Sequence, residues 1–367
     1  MRLCVPFTDE REVEEVAGVL ASGYLTQGPK VAEFEQAVTR KIGSRYGFAM
    51  SSCTTALHLA LVVAGVQPGD EVLVADFTFP ATANVVVQLG AIPVLVDIDL
   101  ATFTMNVDDL RARITPRSKA IIPVHAFGCS ADMHAILAIA REHHLVVIED
   151  AACAIGTTYH TEYCGAMGDL GCFSFHPRKV ITTGEGGMIT TNDAELAGRI
   201  QLLRSHGGVK IGQWYQYEAA GFNYRLSDIQ GAVGVAQMAK LDYFVERRRA
   251  LAGQLKERLD GIPGIRLPQE PPWGGHIYQS FVVLVDEGRD RDRIVADMNA
   301  RGIETTLGTY ALHDQPFFQR TFSYQSGQLP HSHAAYLRSV TLPLYPQMTL
   351  SDLDLIAQAL ETVMAHG

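Results

Sequence analysis

The stretch EVLVADFTFPATANVVVQLGAIPVLVD, residues 71–97, decides the fold class. Its two ends, EVLVA (71–75) and IPVLVD (92–97), are short runs rich in Val, Leu and Ile that do not alternate apolar with polar positions. Strands covered on both faces of a parallel sheet read this way. Between them, TANVVVQLG (82–90) carries apolar residues at helical spacing. The pattern repeats outward. TALHLALVVAG (55–65) and DMHAILAIAREHH (132–144) read as helices, and KAIIPV (119–124) and LVVIE (145–149) as buried strands. This alternation predicts an α/β domain with a mostly parallel central sheet flanked by helices and right-handed crossovers.

At 367 residues the chain is long enough for two domains. We draw the first over residues 1–250, a large α/β domain with its N-terminal segment, and the second over 251–367, a smaller α+β domain. A long helical segment is expected from Leu226 to about Arg258, with Arg247, Arg248 and Arg249 as a solvated face. The Pro- and Gly-dense GIPGIRLPQEPPWGG (261–275) reads as the connection. Beyond it, HIYQSFVVLVD (276–286) and VTLPLY (340–345) read as strands, and RDRIVADMNARG (291–302) as a helix stopping at Gly302. The terminal helix, 351–367, is expected to be capped by Ser351.

Composition narrows the function. The content is 47% hydrophobic and 19% charged, which excludes a disordered chain. A net charge of −10 argues against broad contact with nucleic acid. No run of 18 apolar residues offers a membrane span, and the N-terminus MRLCVPFTDEREVEEV lacks the apolar core of a signal peptide. Cysteines at 4, 53, 129, 153, 164 and 172 form no C-x-x-C pair, so reduced thiols and a cytoplasmic location are expected. His331 and His333 have no matching carboxylate or cysteine set in the sequence, so no metal centre is expected.

Four segments could carry chemistry. In SFHPRKVITTGEGGMITT (174–191), Lys179 lies in a Gly- and Thr-rich, weakly charged stretch. Desolvation there would lower its pKa and free the amine to attack a carbonyl; a surface turn lysine is the other reading. Asp150 follows a buried-type strand, where open α/β sheets bind ligands, either as a helix cap or as the partner of a cationic ligand atom. Glu149 precedes it on the other side of the pleat. Ser52, Cys53 and Thr54 stand where a helix begins, as a plain cap or as a phosphate site. Phe79, after strand 71–75, is either a core residue or a ring that stacks on a planar heterocycle. A phosphate cradle, a ring stack, an acid for a pyridinium nitrogen and a carbonyl-trapping lysine are together what pyridoxal 5′-phosphate requires.

At this point the chain resembles a known family. GYLTQGPKVAEFEQAV (23–38), SSCTTALHLAL, DFTFPATANVV, IEDAACAIG, SFHPRKVITTGEGGM, GFNYRLSDIQGA and GTYALH follow the order of the DegT/DnrJ/EryC1/StrS aminotransferases. These are sugar aminotransferases of the aspartate aminotransferase superfamily, fold type I. The resemblance implies that Lys179 joins pyridoxal 5′-phosphate as a Schiff base and shuttles a proton. It implies that Asp150 pairs with the pyridine nitrogen, that Phe79 stacks on the ring, and that Ser52, Cys53, Thr54 and Ser174 hold the phosphate. Asn223 would reach the phosphate of a neighbouring subunit, which implies a homodimer with shared active sites. Tyr24, Arg225, Tyr310 and His313 would face the substrate.

Two departures stand out: Cys153 where the family more often has Gln near the cofactor's 3-oxygen, and Cys53 where Gly is commoner. The implied reaction moves an amino group from an amino acid, glutamate by family analogy, to a nucleotide-linked keto-sugar. A sugar dehydratase, a keto-cyclitol aminotransferase and a non-catalytic regulatory protein are the alternatives. Some relatives with His in place of the lysine are sugar dehydratases, and here the lysine is present.

Overall fold

The computed structural model describes residues 1–366. Its central sheet has seven strands: β1 (Tyr46–Met50), β2 (Glu71–Ala75), β3 (Ile92–Val96), β4 (Ser118–Ile122), β5 (Val146–Asp150), β6 (Leu170–Ser174) and β7 (Gly187–Thr191). Their order is β1-β7-β6-β5-β4-β2-β3. The pairs from β6 to β3 are parallel, and β7 alone runs against both of its neighbours.

The unbroken apolar character of β2 has a direct cause. Val72 and Val74 join one core with Leu57, Ala60 and Leu61 of the helix Cys53–Val63. Leu73 and Ala75 join another with Ile136, Ile139 and Ala140 of the helix Met133–His143. Each such Val, Leu or Ile stabilises the fold by about 1.5–3 kcal/mol relative to exposure, so a charge at Val74 would break the layer. The parallel order also brings the carboxyl ends of β2, β4, β5 and β6 to one edge.

The long helix expected from Leu226 is two helices, Asp228–Met238 and Leu241–Leu259. Lys240 stands between them, its ammonium pinned to Glu12 at 2.6 Å and Asp9 at 3.1 Å. The arginine run is only partly a solvated face: Arg249 is exposed and Arg247 half-buried. Arg248 is buried, and its guanidinium donates to the carbonyls of Tyr278, Gln279 and Leu344. Arg247 and Arg249 donate to Met348 and His276 carbonyls, so the triplet clamps the later chain onto this helix.

After residue 251 a second core forms around Leu255, Phe281, Val283, Leu342 and Leu360, under the antiparallel strands Ile265–Arg266, Phe281–Val285 and Ser339–Leu342. Leu312, Phe318 and Leu329, however, pack back into the core of the central sheet. The strand expected over 276–286 starts only at Phe281, because His276 stacks on Tyr278 and Tyr278 takes φ 51°. The helix expected over 291–302 spans Arg291–Ala300, with Gly302 at φ 78° just past it. The last helix begins at Leu350. Its cap is Thr349, not Ser351: the Thr349 hydroxyl accepts from Asp352 N–H at 3.3 Å, and Thr349 N–H donates to the Asp352 carboxylate at 2.8 Å. Among the described residues, no helix is long and apolar enough to cross a membrane.

Candidate active site

A cavity of about 630 Å³ opens at the carboxyl edge of the sheet. Its size is that of a small-molecule site. Asp150 ends β5 and Ser174 ends β6, and both line it. Lys179 enters from the loop after β6, Phe79 from the loop after β2, and Ser52, Cys53 and Thr54 from the start of the helix Cys53–Val63. Gln279 and Thr306 close the far wall.

The helix start is built to hold an anion. Ser52 caps it, its hydroxyl accepting from Thr55 N–H at 3.1 Å. The first N–H groups of a helix have no partner within it and carry the positive end of its dipole. β7 passes close by, which only glycine allows: a Cβ on Gly187 would lie 2.4 Å from the Ser52 carbonyl carbon and 2.5 Å from Cys53 N.

Asp150 is buried. One carboxylate oxygen lies 2.8 Å from the Thr82 hydroxyl and the other accepts from Ala152 N–H at 3.1 Å. Burial pushes its pKa up from 3.8, while Thr82, Ala152, Lys179 and His125 pull the other way. A buried acid held above its ordinary value gains by meeting a cationic N–H. Glu149, one residue earlier, points to the opposite face. It accepts from His125 Nε2 at 2.9 Å and from the N–H groups of Gly165, Met167 and Gly168 at 2.7, 2.8 and 2.7 Å. Because His125 Nδ1 accepts from Ala131 N–H, the ring proton sits on Nε2.

Lys179 corrects one expectation. Burial does act to lower its pKa, but Cys153 and Asp150 outweigh it and hold the amine above 10.5. The nearest contact is Cys153 Sγ, 3.0 Å from Nζ. Burial drives the Cys53 thiol well above its usual range, so it stays protonated. The lysine loop is braced from the far wall, where Gln279 donates to the Arg178 carbonyl at 2.8 Å.

The other site candidates lie outside this cavity. Asn223 bridges to Ser205 through its backbone, and Arg225 donates to the Ser205 hydroxyl at 2.9 Å. Tyr24 is exposed. Tyr310 pairs with Thr78 in a two-residue strand and packs its ring against Tyr336. His313 was expected to face the substrate; instead its ring is wholly buried behind the wall, captured by Asp76 at 2.6 Å. Sequence reasoning missed Thr82, Gln279 and Gly187. Thr82 could have been found, since it lies three residues after Phe79 in the segment that opened the reading.

Pyridoxal 5′-phosphate fits these groups: a dipole for a phosphate, a buried acid for a pyridinium nitrogen, an amine for an aldehyde, and the Phe79 ring, 66% exposed, beside them. The DegT/DnrJ/EryC1/StrS aminotransferase family matches residues 6–361. The chain belongs to this family. It is 39% identical to the spore coat polysaccharide biosynthesis protein SpsC of Bacillus subtilis, over 98% of this chain and 96% of that one. It is 38% identical to GDP-perosamine synthase of Caulobacter vibrioides, over 99% and 98%. The PLP form of the putative sugar aminotransferase Spr1654 from Streptococcus pneumoniae superposes with a TM-score of 0.95 at 26% identity, covering 100% of this chain and 99% of that one. This family member is a pyridoxal-phosphate-dependent aminotransferase of fold type I, related to enzymes of amino-sugar biosynthesis.

Proposed function

We propose that the enzyme moves an amino group from an amino acid, L-glutamate, to a nucleotide-linked keto-sugar. The observation that carries this reading is the convergence of the Lys179 amine, the Asp150 carboxylate and a helix N-terminus on one cavity. The sugar is supported by the likeness to GDP-perosamine synthase. When bound, pyridoxal 5′-phosphate supplies a reactive aldehyde carbon and an electron-accepting ring.

The chain's own residues do the rest. The N–H groups of Cys53 and Thr54, with the hydroxyls of Ser52 and Ser174, grip the phosphate. Asp150 keeps a proton on the ring nitrogen. Phe79 covers one flat face, and Cys153 sits beside the lysine where the 3-oxygen is expected. Lys179 Nζ would hold the aldehyde carbon covalently, with loss of water, and as a free amine would move a proton between neighbouring carbons as base and then acid. Thr82 holds Asp150 in register for this. Two half-reactions through one site give ping-pong kinetics.

The site is completed, in this reading, by a second copy of the chain in a homodimer. Asn223 lies outside its own cavity, and the neighbouring hairpin Gly208–Ile211 and Trp214–Tyr217 exposes Trp214, Tyr215 and Tyr217. Such an apolar patch favours burial against a partner. An active monomer on gel filtration is the result that contradicts it.

The main test has two parts. Borohydride reduction of the cofactor-loaded enzyme, followed by peptide mapping, is expected to find the fixed adduct at Lys179. Incubation with glutamate and a panel of nucleotide keto-sugars is expected to give a product of amino-sugar mass. A dehydrated sugar, or amination of a keto-cyclitol alone, replaces the proposed substrate.

A further inference from the structure

We propose that His313, Asp314 and His333 form a binding site for one divalent transition-metal ion of the zinc class. This site is separate from the cavity and independent of the reaction assigned to it. The sequence offered His331 and His333 without a matching carboxylate. The fold supplies one. His313 and Asp314 lie in the turn Leu312–Asp314, and His333 lies on the helix Pro330–Arg338 packed beside it. One ligand atom from each residue lies within 4.8 Å of the others.

The decisive atom is His313 Nε2. The ring is wholly buried, yet this nitrogen makes no hydrogen bond. The Asp314 carboxylate faces it at 3.5 Å, beyond a good hydrogen bond to a ring nitrogen. The other ring nitrogen is fully engaged: Nδ1 lies 2.6 Å from the Asp76 carboxylate, and His313 N–H donates to the second Asp76 oxygen at 2.7 Å. A carboxylate behind a histidine, fixing its tautomer and aiming its free nitrogen, is the arrangement that orients metal-ligating imidazoles.

Asp314 is held just as firmly. One oxygen accepts from the Ser326 hydroxyl at 2.8 Å and Gly327 N–H at 3.2 Å, and the other lies 2.6 Å from His333 Nδ1.

The donor set selects the ion. Two imidazoles and one carboxylate suit zinc, cobalt or nickel, whereas calcium and magnesium prefer oxygen alone. Three protein ligands leave a fourth position for water. His333 is partly exposed and gives the ion a route in from solvent. Binding would tie the turn after Tyr310–Ala311, which pairs with Phe77–Thr78 at the cavity wall, to the helix behind it.

His331 is the internal control. It lies on the same helix, but its Nδ1 turns to the Ile98 carbonyl oxygen at 2.9 Å, outside the three residues whose ligand atoms converge.

The test uses the full-length chain, stripped with chelator and dialysed against Zn²⁺ or Co²⁺ with no amino acid added. One equivalent of metal per chain is expected, with visible bands for Co²⁺ and a raised melting temperature. His333→Ala and Asp314→Asn are each expected to weaken binding by at least ~10-fold, the size of effect seen even for groups one contact removed from a metal. His331→Ala should bind as the parent does. Circular dichroism and cofactor absorption like those of the parent show that a variant is folded. The proposal is overturned if the parent takes up no metal. It is also overturned if the His333→Ala/Asp314→Asn double variant keeps its ion, or if His331→Ala loses as much affinity as His333→Ala.

Discussion

Glu149 and Asp150 are neighbours at the carboxyl end of one strand, yet they serve two different regions. On the rear face, Glu149 accepts four hydrogen bonds from His125 and from the loop at Gly165, Met167 and Gly168. On the cavity face, Asp150 has only the Thr82 hydroxyl and Ala152 N–H from the chain. Both are buried. A carboxylate whose acceptor capacity is filled by its own chain holds the fold. One with capacity left over, facing a cavity, is set to hold something that arrives later.

The hardest blow to this contrast comes at the amine opposite Asp150. Lys179→Ala should lower single-turnover rates by about 10⁴-fold, the upper end for a positioned proton-transfer group. Turnover near the parent level would remove the cavity face from the chemistry. Asp150→Asn should slow turnover by about 10²–10³-fold. Its effect on stability should have the opposite sign. Because burial raises the pKa of Asp150 above 3.8, the folded chain holds that proton more tightly than the unfolded chain does. Its contribution is therefore lost as pH rises through the folded value. The cofactor-free Asn variant should outlast the parent in urea at neutral pH, with the gap closing as pH falls towards 3.8.

The rear face predicts the reverse pattern. Glu149→Gln presents an amide N–H₂ to backbone donors, leaving some unpaired, and should cost about 2–4 kcal/mol in denaturant unfolding. The folded fraction should keep nearly the parent's kcat. A stability equal to the parent's would erase the distinction between the two acids. The smallest effect is expected at Cys153→Ala. Removing the thiol 3.0 Å from Nζ takes away a group that holds the amine's pKa up. Cofactor capture at neutral pH should quicken by less than about tenfold, the equivalent of one pKa unit. Stopped-flow absorbance at several pH values reads this directly.

The legibility of the sequence follows the same divide. β2, β3, β4 and β5 were readable because burial on both faces writes a continuous apolar run. Lys179, Asp150 and the helix start at Cys53 were readable because each sits at the junction of an element and a loop. What failed depends on contacts between distant residues. Lys240, at the break between two helices, is held by Asp9 and Glu12, more than 200 positions away. Arg248 looks like surface until the carbonyls of Tyr278 and Leu344 fold over it. His313 looks free until Asp76 takes one of its nitrogens. The pKa of Lys179 was misjudged for the same reason: burial was foreseen, but not the Cys153 sulfur and the Asp150 acid near the amine.

The strand order has a consequence for synthesis. β1 can find its place only beside β7, and 136 residues separate Met50 from Gly187. At ~5–20 residues per second, β1 waits roughly 7–27 seconds on the ribosome for its only sheet neighbour. During that wait its backbone donors and acceptors are open to any passing strand. The phosphate cradle at Ser52 also lacks the wall that Gly187 will supply. Nascent chains should therefore gain the ability to grip an anion late and abruptly, when the sheet closes at its edge.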